Sequence, residues 1–436
     1  MTRGSLGRGR SGRARDDRGK IYLAKTVRAV AYGALSGFLL LYLVDDLHFE
    51  FPFVPNATLS SLVVASFSLV GAAVWSLVAL PRIEPRLGRR RTLLFFGALF
   101  VASAVLLYLA SDPWLVLAAV LLGGVGATSA DNGPLASLDQ ATLPATLRSV
   151  DRAEGFAWYN LLAYVASAGG ALLLVVPGSL APRAVPFLPP APHPWILLVY
   201  ILLAGSTDFA YAGLSADVEE ATTPDPASPR RLTGESRGLV RDLAALFAVD
   251  AFAGGFVINP LIAGYFVLAW HADSAEIGSI LFVTGLVAAG SFLLASALAR
   301  RFGLLRTMVF SHIPSNVLLV LVPLMPTFPL ALAALVARSS LSQMDVPTRQ
   351  AYSMALVRPK DRTAAAGTLA GARGIGQSLG PFPGAAFEAA GLLALPFVLG
   401  GSIKVAYDLA VWQRFRRVPV PDDGDAPTSS AGRRPG

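Results

Sequence analysis

The chain contains no cysteine, which removes disulfides and thiolate metal sites from consideration. Charge is scarce too: Asp, Glu, Lys and Arg make up 15% of the 436 residues, against about a quarter in an ordinary soluble protein. Only four histidines occur, His48, His193, His271 and His312, scattered without H-E-x-x-H or other ligand spacing. No metal and no cofactor are therefore expected. There is no Walker loop to cradle a nucleotide, and no cluster of acid, base or metal groups that would mark an enzyme. The opening stretch TRGSLGRGRSGRARDDRGK lacks the apolar core and small-residue cleavage site of a signal peptide. The formal net charge is +8, but the basic residues are not interleaved with stacking aromatics, so nucleic acid is not an expected partner.

What the chain has in quantity is apolar sequence: 54% hydrophobic residues and a mean hydropathy of +0.57. Runs such as TLLFFGALFVASAVLLYLA (Thr92 to Ala110) and SILFVTGLVAAGSFLLASALA (Ser279 to Ala299) recur. Each has the roughly 20 apolar residues that a helix needs to cross hydrocarbon. The 41 glycines and 31 prolines fall partly inside these runs, as membrane helices tolerate where neighbours re-satisfy the backbone. The expected class is an all-α, polytopic membrane protein with about twelve spans. The first six centre near Ala34, Val70, Ala102, Gly123, Ala163 and Leu202, and the second six near Ala251, Val287, Leu318, Leu335, Ile375 and Ile403.

Lysine and arginine set the expected orientation. They crowd the N-terminal arm, Arg82 to Arg91, Arg148 and Arg152, Arg230 to Arg241, Arg300 to Arg306, Arg358 to Arg362, and Arg414 to Arg417. The alternate loops, among them DDLHFEFPF and HADSAE, carry acids but no lysine or arginine. That alternation is the positive-inside rule repeated along the chain, and it places both termini in the cytoplasm of a cell's inner (plasma) membrane. The expected organisation is a disordered basic arm (1–20), a six-helix half (21–213), a polar, proline-rich linker (214–238), a second six-helix half (239–413) and a disordered tail (414–436).

The halves resemble each other. RLGRRRT (Arg86 to Thr92) follows the second span and RFGLLRT (Arg301 to Thr307) the eighth. VDRAEGF (Val150 to Phe156) opens the fifth span and KDRTAAAG (Lys360 to Gly367) the eleventh. A duplicated six-span unit is a transporter arrangement, with the site at the interface of the repeats.

In span number, halves, central loop and both loop motifs the chain resembles the major facilitator superfamily, in a drug-exporter-like bacterial branch. Of the family's Gly-x-x-x-Asp-Arg-x-Gly-Arg-Arg loop pattern, Arg86, Gly88, Arg89, Arg90 and Arg91 match. Pro81 and Pro85 stand at the glycine and aspartate, with Glu84 displaced by one residue. In the second half Arg301, Gly303 and Arg306 match, while Ser296 and Arg300 replace the glycine and aspartate. The resemblance implies that these loops latch the halves in one state; plain positive-inside topology accounts for the same arginines. The antiporter pattern Gly-x-x-x-Gly-Pro-x-x-Gly appears as GQSLGPFPG (Gly376 to Gly384), in the eleventh span rather than the fifth.

Ionisable residues inside spans are the candidate site. Each costs about 2.5–3.5 kcal/mol at mid-membrane on insertion scales, so function is the default reading. Asp250 interrupts LFAVDAFAGGFVI (Leu246 to Ile258) near the middle of the seventh span, with Gly254 on the same face. Asn259 and Pro260 break the helix beyond it, as a cavity hinge would. Arg338, Ser342, Asp345 and Arg349 share one face of the tenth span, with Asp345 and Arg349 spaced to pair. Arg28 on the first span and Asp131 on the fourth are the counterparts in the first half; Arg28 has the alternative of snorkelling to the interface. Lys404 and Asp408, four apart, are spaced to neutralise each other. The resemblance implies that spans one, four, seven and ten line a central cavity, which would place Arg28, Asp131, Asp250 and Arg338 on it. The function expected is secondary transport of a small solute by alternating access, with protons as coupling ion and export of amphiphilic or cationic compounds by a monomer. Import or uniport of a metabolite is the alternative within the fold, and a non-transporting receptor or scaffold lies outside it.

Overall fold

The computed structural model describes residues 3–41, 67–110, 112–122, 133–171, 173, 194–215, 218, 232, 234–272 and 274–419. Helix dominates, and no strand occurs among the described residues. In chain order the first half comprises α1 (Arg3–Leu41), α2 (Phe67–Leu87), α3 (Arg89–Tyr108), α4 (Pro113–Leu121), α5 (Pro134–Thr142), α6 (Arg152–Ala171) and α7 (Pro194–Ala212). The second half comprises α8 (Gly234–Gly255), α9 (Asn259–Trp270), α10 (Ser274–Phe302), α11 (Leu304–Leu321), α12 (Phe328–Ser342), α13 (Asp345–Ala355), α14 (Arg362–Leu379), α15 (Pro381–Ala389) and α16 (Leu395–Phe415).

Six of these segments are long and apolar enough to cross a membrane: α2, α3, α10, α16, the stretch Trp195–Ala212 in α7, and Leu304–Leu324, which is α11 with its 3₁₀ end. The segments around Asp250, Arg338 and Arg373 fall outside that set because they carry charge or are divided: α8 from α9, α12 from α13, and α14 from α15. The protein is a multi-pass membrane protein.

The arm expected to be disordered is the start of α1, which is helical from Arg3. No proline occurs before Pro52 to stop a helix propagating outward from the apolar part. Its last turn is also tied down. Asp17, 2% exposed, accepts from the Ser215 amide at 2.9 Å, and Lys20 donates to the Gly213 carbonyl at 2.5 Å.

The duplicated loop motif has a duplicated backbone. Gly88 (φ 79°, ψ 167°) and Gly303 (φ 86°, ψ 161°) each end one helix and cap the next. A side chain at that φ is strained, which is why glycine recurs there. Each glycine N–H bonds the carbonyl four residues back at 2.9 Å, and each glycine carbonyl accepts the amide of Thr92 or Thr307 at 3.1 Å.

Two divided helices meet at their breaks. The backbone leaves helical form between Gly255 and Asn259. The second division falls at Gly380, whose own backbone stays helical (φ −61°, ψ −39°) before Pro381 and Pro383, which have no N–H to donate. A Cβ on Gly255 would lie 2.6 Å from the Gly380 Cα, so both positions are held to glycine by contact rather than by φ.

The halves pack along a seam of α2 and α5 against α14, and α6 against α10 and α13. α14 approaches α2 at glycines: a Cβ on Gly367 would sit 2.6 Å from the Ser76 carbonyl oxygen, and one on Gly371 2.2 Å from Leu77.

Candidate functional site

Asp250 is 2% exposed and lies at the centre of a cluster of ionisable side chains from five spans. Lys404 on α16 donates to its Oδ1 at 2.5 Å. Arg373 on α14 and Arg349 on α13 donate to Oδ2 at 2.9 and 3.4 Å. Arg349 also donates to Asp345 at 2.5 Å, and its guanidinium lies 5.5 Å from the Phe247 ring centroid. Behind Lys404, His312 Nδ1 and Asp408 Oδ1 are 2.9 Å apart, and Asn316 donates to Asp408 Oδ2 at 3.2 Å.

Three carboxylates therefore face three permanent cations, with one histidine beside them. Removing one partner from such a buried cluster leaves an uncompensated charge, at a cost of about 3–5 kcal/mol. The fit depends on small residues. Gly254 faces Lys404, whose Nζ would be 3.5 Å from a Cβ there, so the ammonium reaches Asp250 across the face that glycine leaves open.

Arg28 is fully buried inside the first half. It donates to Asp139 at 2.6 Å and to the Tyr211 hydroxyl at 2.6 Å. Asp139 accepts further bonds from Tyr211 at 2.9 Å and Tyr159 at 3.0 Å. Lys25 sits 4.7 Å over the Tyr159 ring. Asp139 had no part in the sequence reading, although an acid within the apolar PLASLDQATL was its visible signal. Asp131 lies outside the described residues.

Arg338 differs from all of these. It is on α12, ten residues or about 15 Å of helix rise from Phe328. Its Nε is buried without a hydrogen bond, and among the described residues its side chain makes no ion pair. The titratable group within its electrostatic reach is Tyr164 of α6, in the other half. Tyr164 packs edge-on to Phe292 of α10 at 5.6 Å.

At the arginine-rich end of the seam, polar contacts join the halves. Arg89, 1% exposed, donates to Thr363 at 3.0 Å and lies 3.8 Å from Glu84. Glu84, displaced by one residue from the motif's usual acid, is nevertheless the carboxylate beside Arg89. Arg300 donates to Glu154 at 3.0 Å. Deeper in, Asn160 donates to Gln350 at 2.6 Å. The remaining motif arginines are peripheral. Arg90 bonds the Ala212 carbonyl, Arg301 stacks on Phe302, and Arg86, Arg91 and Arg306 are exposed. Burial of the cluster Arg89, Arg152 and Arg362 at this end brings the Arg362 guanidinium down to about 10, by desolvation first and repulsion from the other two second.

Asn259 begins α9 after the break and is exposed, and Pro260 stands in its first turn. Lys404 and Asp408 do not pair with each other. The i, i+4 rule describes an exposed helix face, whereas α16 is wedged between α8 and α11 and each residue meets an opposite charge across a helix interface.

Residues 244–435 match the family model described as Major Facilitator Superfamily. The chain is 25% identical over 353 residues to an uncharacterized membrane protein of Saccharomyces cerevisiae, YJR124C, covering 74% of this chain and 79% of the yeast protein. Three solved structures share the fold. The human organic anion transporter MFSD10 (TETRAN) superposes with a TM-score of 0.66 at 16% identity, over 91% of this chain and 99% of its own. The E. coli fucose:proton symporter FucP gives 0.67 at 12% identity, over 91% and 98%. A bacterial homologue of the iron transporter ferroportin, in an outward-facing state, gives 0.64 at 13%, over 92% and 100%. The second half thus matches the Major Facilitator Superfamily model, and the chain along its length has the fold of these three transporter structures.

Proposed function

We propose that this protein is a proton-coupled secondary transporter in the cell's inner (plasma) membrane, exporting small amphiphilic compounds by alternating access. The observation that carries the reading is the buried cluster on Asp250, which gathers groups from five spans of one half. In the other half one buried acid, Asp139, is met by one cation and two tyrosines, whereas Asp250 is shared among three cations. A balanced cluster of three acids and three cations can pass a proton to a carboxylate when one cation partner withdraws, which ties protonation to helix movement. With the arginine-rich face read as cytoplasmic, the contacts Arg89 to Thr363 and Arg300 to Glu154 hold the cytoplasmic side closed. The loop motifs then serve as latch, Gly88 and Gly303 as its turns, and Gly254, Asn259 and Pro260 as part of a cavity hinge. Of the amphiphilic and cationic cargoes considered from sequence, the uncompensated Arg338 disfavours the cationic.

The test compares cells making the wild type, Asp250→Asn or no transporter, at equal expression, on a panel of toxic dyes, antibiotics and organic acids. Resistance conferred by the wild type and lost in Asp250→Asn is expected. Reconstituted vesicles loaded with the identified compound should then move protons against it. Resistance untouched by the substitution would reduce Asp250 to a structural role, and sensitisation by the wild type would reverse the direction to import.

A further inference from the structure

We propose that Arg338 is the anchor for a carboxylate, and hence that the cargo is a small organic monoanion with an aromatic or apolar body. The inference rests on the transporter reading and names the substrate class of that same seam.

Four permanent cations of the second half stand inside spans, and three of them are accounted for. Lys404, Arg373 and Arg349 all converge on Asp250, and Arg349 on Asp345 as well. Arg338 is the fourth. A guanidinium at that depth is expensive without a counter-charge, yet the described residues offer it none. Its Nε is shut off from solvent and makes no hydrogen bond. Arginine is the residue whose planar fork matches a carboxylate with two parallel N–H···O bonds.

The place of Arg338 fits a ligand rather than a lipid or a missing internal partner. Its helix α12 packs on α10, the helix of the second half that meets α6 at the seam, and Tyr164 of α6 is within its electrostatic reach. Tyr164 is 41% exposed, while Phe292 against its edge is buried. That pair offers an aromatic body at the same seam and a phenol able to donate a hydrogen bond. Toward the arginine-rich end, the bond from Asn160 to Gln350 closes the seam beyond this point. A molecule held here would touch both halves at once, as alternating access requires of a cargo. One unpaired guanidinium neutralises one negative charge, so a monocarboxylate fits better than a phosphate ester.

The experiment is equilibrium binding to the purified full chain in nanodiscs, with no gradient imposed. Benzoate, phenylacetate and 4-phenylbutyrate are compared with their primary amides and with benzyltrimethylammonium, by calorimetry and by thermal shift. At least one carboxylate should bind tenfold or more tighter than its amide, and the cation should not bind. Arg338→Gln should lower that affinity at least tenfold, and Arg338→Lys should restore part of it. Tyr164→Phe should weaken binding by only a few fold. Equal binding of acids and amides, or undiminished carboxylate binding in Arg338→Gln, overturns the proposal. So does preferential binding of benzyltrimethylammonium, and so does no binding of any carboxylate. Should Arg338→Gln not fold, the acid-against-amide comparison on the wild type and Arg338→Lys decide alone. Because no proton gradient enters, failure here leaves the proton-flux test standing, and the converse also holds.

Discussion

The two halves share a loop, a glycine turn and a seam, but they bury charge in different ways. Deep in the first half, Arg28 and Asp139 bond to each other, and Tyr159 and Tyr211 also donate to that carboxylate. The partners described for that carboxylate, Arg28, Tyr159 and Tyr211, all come from its own half. The second half shares one carboxylate, Asp250, among three cations. One of those cations, Arg349, holds a second carboxylate in Asp345. Shared partners can be exchanged with little loss, while exclusive ones cannot. A duplicated scaffold has thus kept one copy rigid and placed a set of exchangeable bonds in the other.

The comparison can be broken most directly by removing charge. Asp250→Ala should destabilise the protein by about 3–5 kcal/mol, read as a fall in melting temperature in detergent, because three cations lose their common partner. Asp139→Ala should cost about as much, since Arg28 is equally buried. The difference appears on removing both members. Arg28→Met with Asp139→Leu should recover most of the loss, because buried pairs replaced by apolar groups are often neutral. Asp250→Leu with Lys404→Met should recover little, since Arg349 and Arg373 remain. Similar recovery in both halves would end the distinction.

Next in size is the latch. Arg89→Ala removes a buried donor shared between halves, and about 1–3 kcal/mol is expected to pass to the state open at the arginine-rich face. Arg300→Ala should move it by less than about 1 kcal/mol, since that pair is half exposed. The absence of native cysteine allows spin labels at Arg86→Cys and Lys360→Cys to report the separation directly. A longer distance in Arg300→Ala than in Arg89→Ala would contradict this ranking.

Adjacent glycines sharpen the picture within the second half. Gly255→Ala should lower stability by about 1–3 kcal/mol, because its Cβ would overlap Gly380 backbone. Gly254→Ala should cost under about 1 kcal/mol, meeting only the movable end of Lys404. Thermal melts of the two single variants suffice, and equal losses would remove the contact argument.

The smallest effect is one of pH. Asp242, in the polar first turns of α8, accepts from Arg414 at 2.8 Å. That bond holds its carboxyl below the usual carboxylate range. A depressed folded-state pKa gives stability that is present above the unfolded value of about 3.9 and fades as pH falls through the folded value. Exposure screens the pair, so under about 1 kcal/mol is expected. The acid sensitivity of Arg414→Gln should differ from that of the wild type only below about pH 4.

Membrane class, duplication and the loop glycines were legible in the sequence, because each is written locally. Apolar run length shows a span, and Gly88 and Gly303 recur because one backbone turn recurs. Asp250 was legible too, as a lone acid in an apolar run. Its partners were not. Lys404 is as close in sequence to Asp408 as helix geometry allows, and only the wedging of α16 between α8 and α11 assigns it to Asp250. Asp139 lies beyond the expected end of the fourth span, and its role depends on Arg28, Tyr159 and Tyr211, which are distant in sequence. Arg338 could be placed on a face from spacing, but its lack of a counter-ion among the described residues depends on the helices packed around α12 and not on any one.

The meeting of Gly255 and Gly380 has a mechanical consequence. Two helices that are divided at one level and touch there through glycine backbone, with Phe256 and Phe387 edge-on beside them at 6.4 Å, form a natural pivot. The pieces beyond it, α9 and α15, are in contact with each other and can swing as one arm. α9 has 12 residues, about 18 Å of helix, so a tilt of about 10° at the pivot displaces its far end by about 3 Å. A shift of that size is comparable to the width of a water molecule and is obtained without disturbing the charges below the joint. The end of this half that carries α9 and α15 is therefore the part built to tilt as a lever about Gly255 and Gly380.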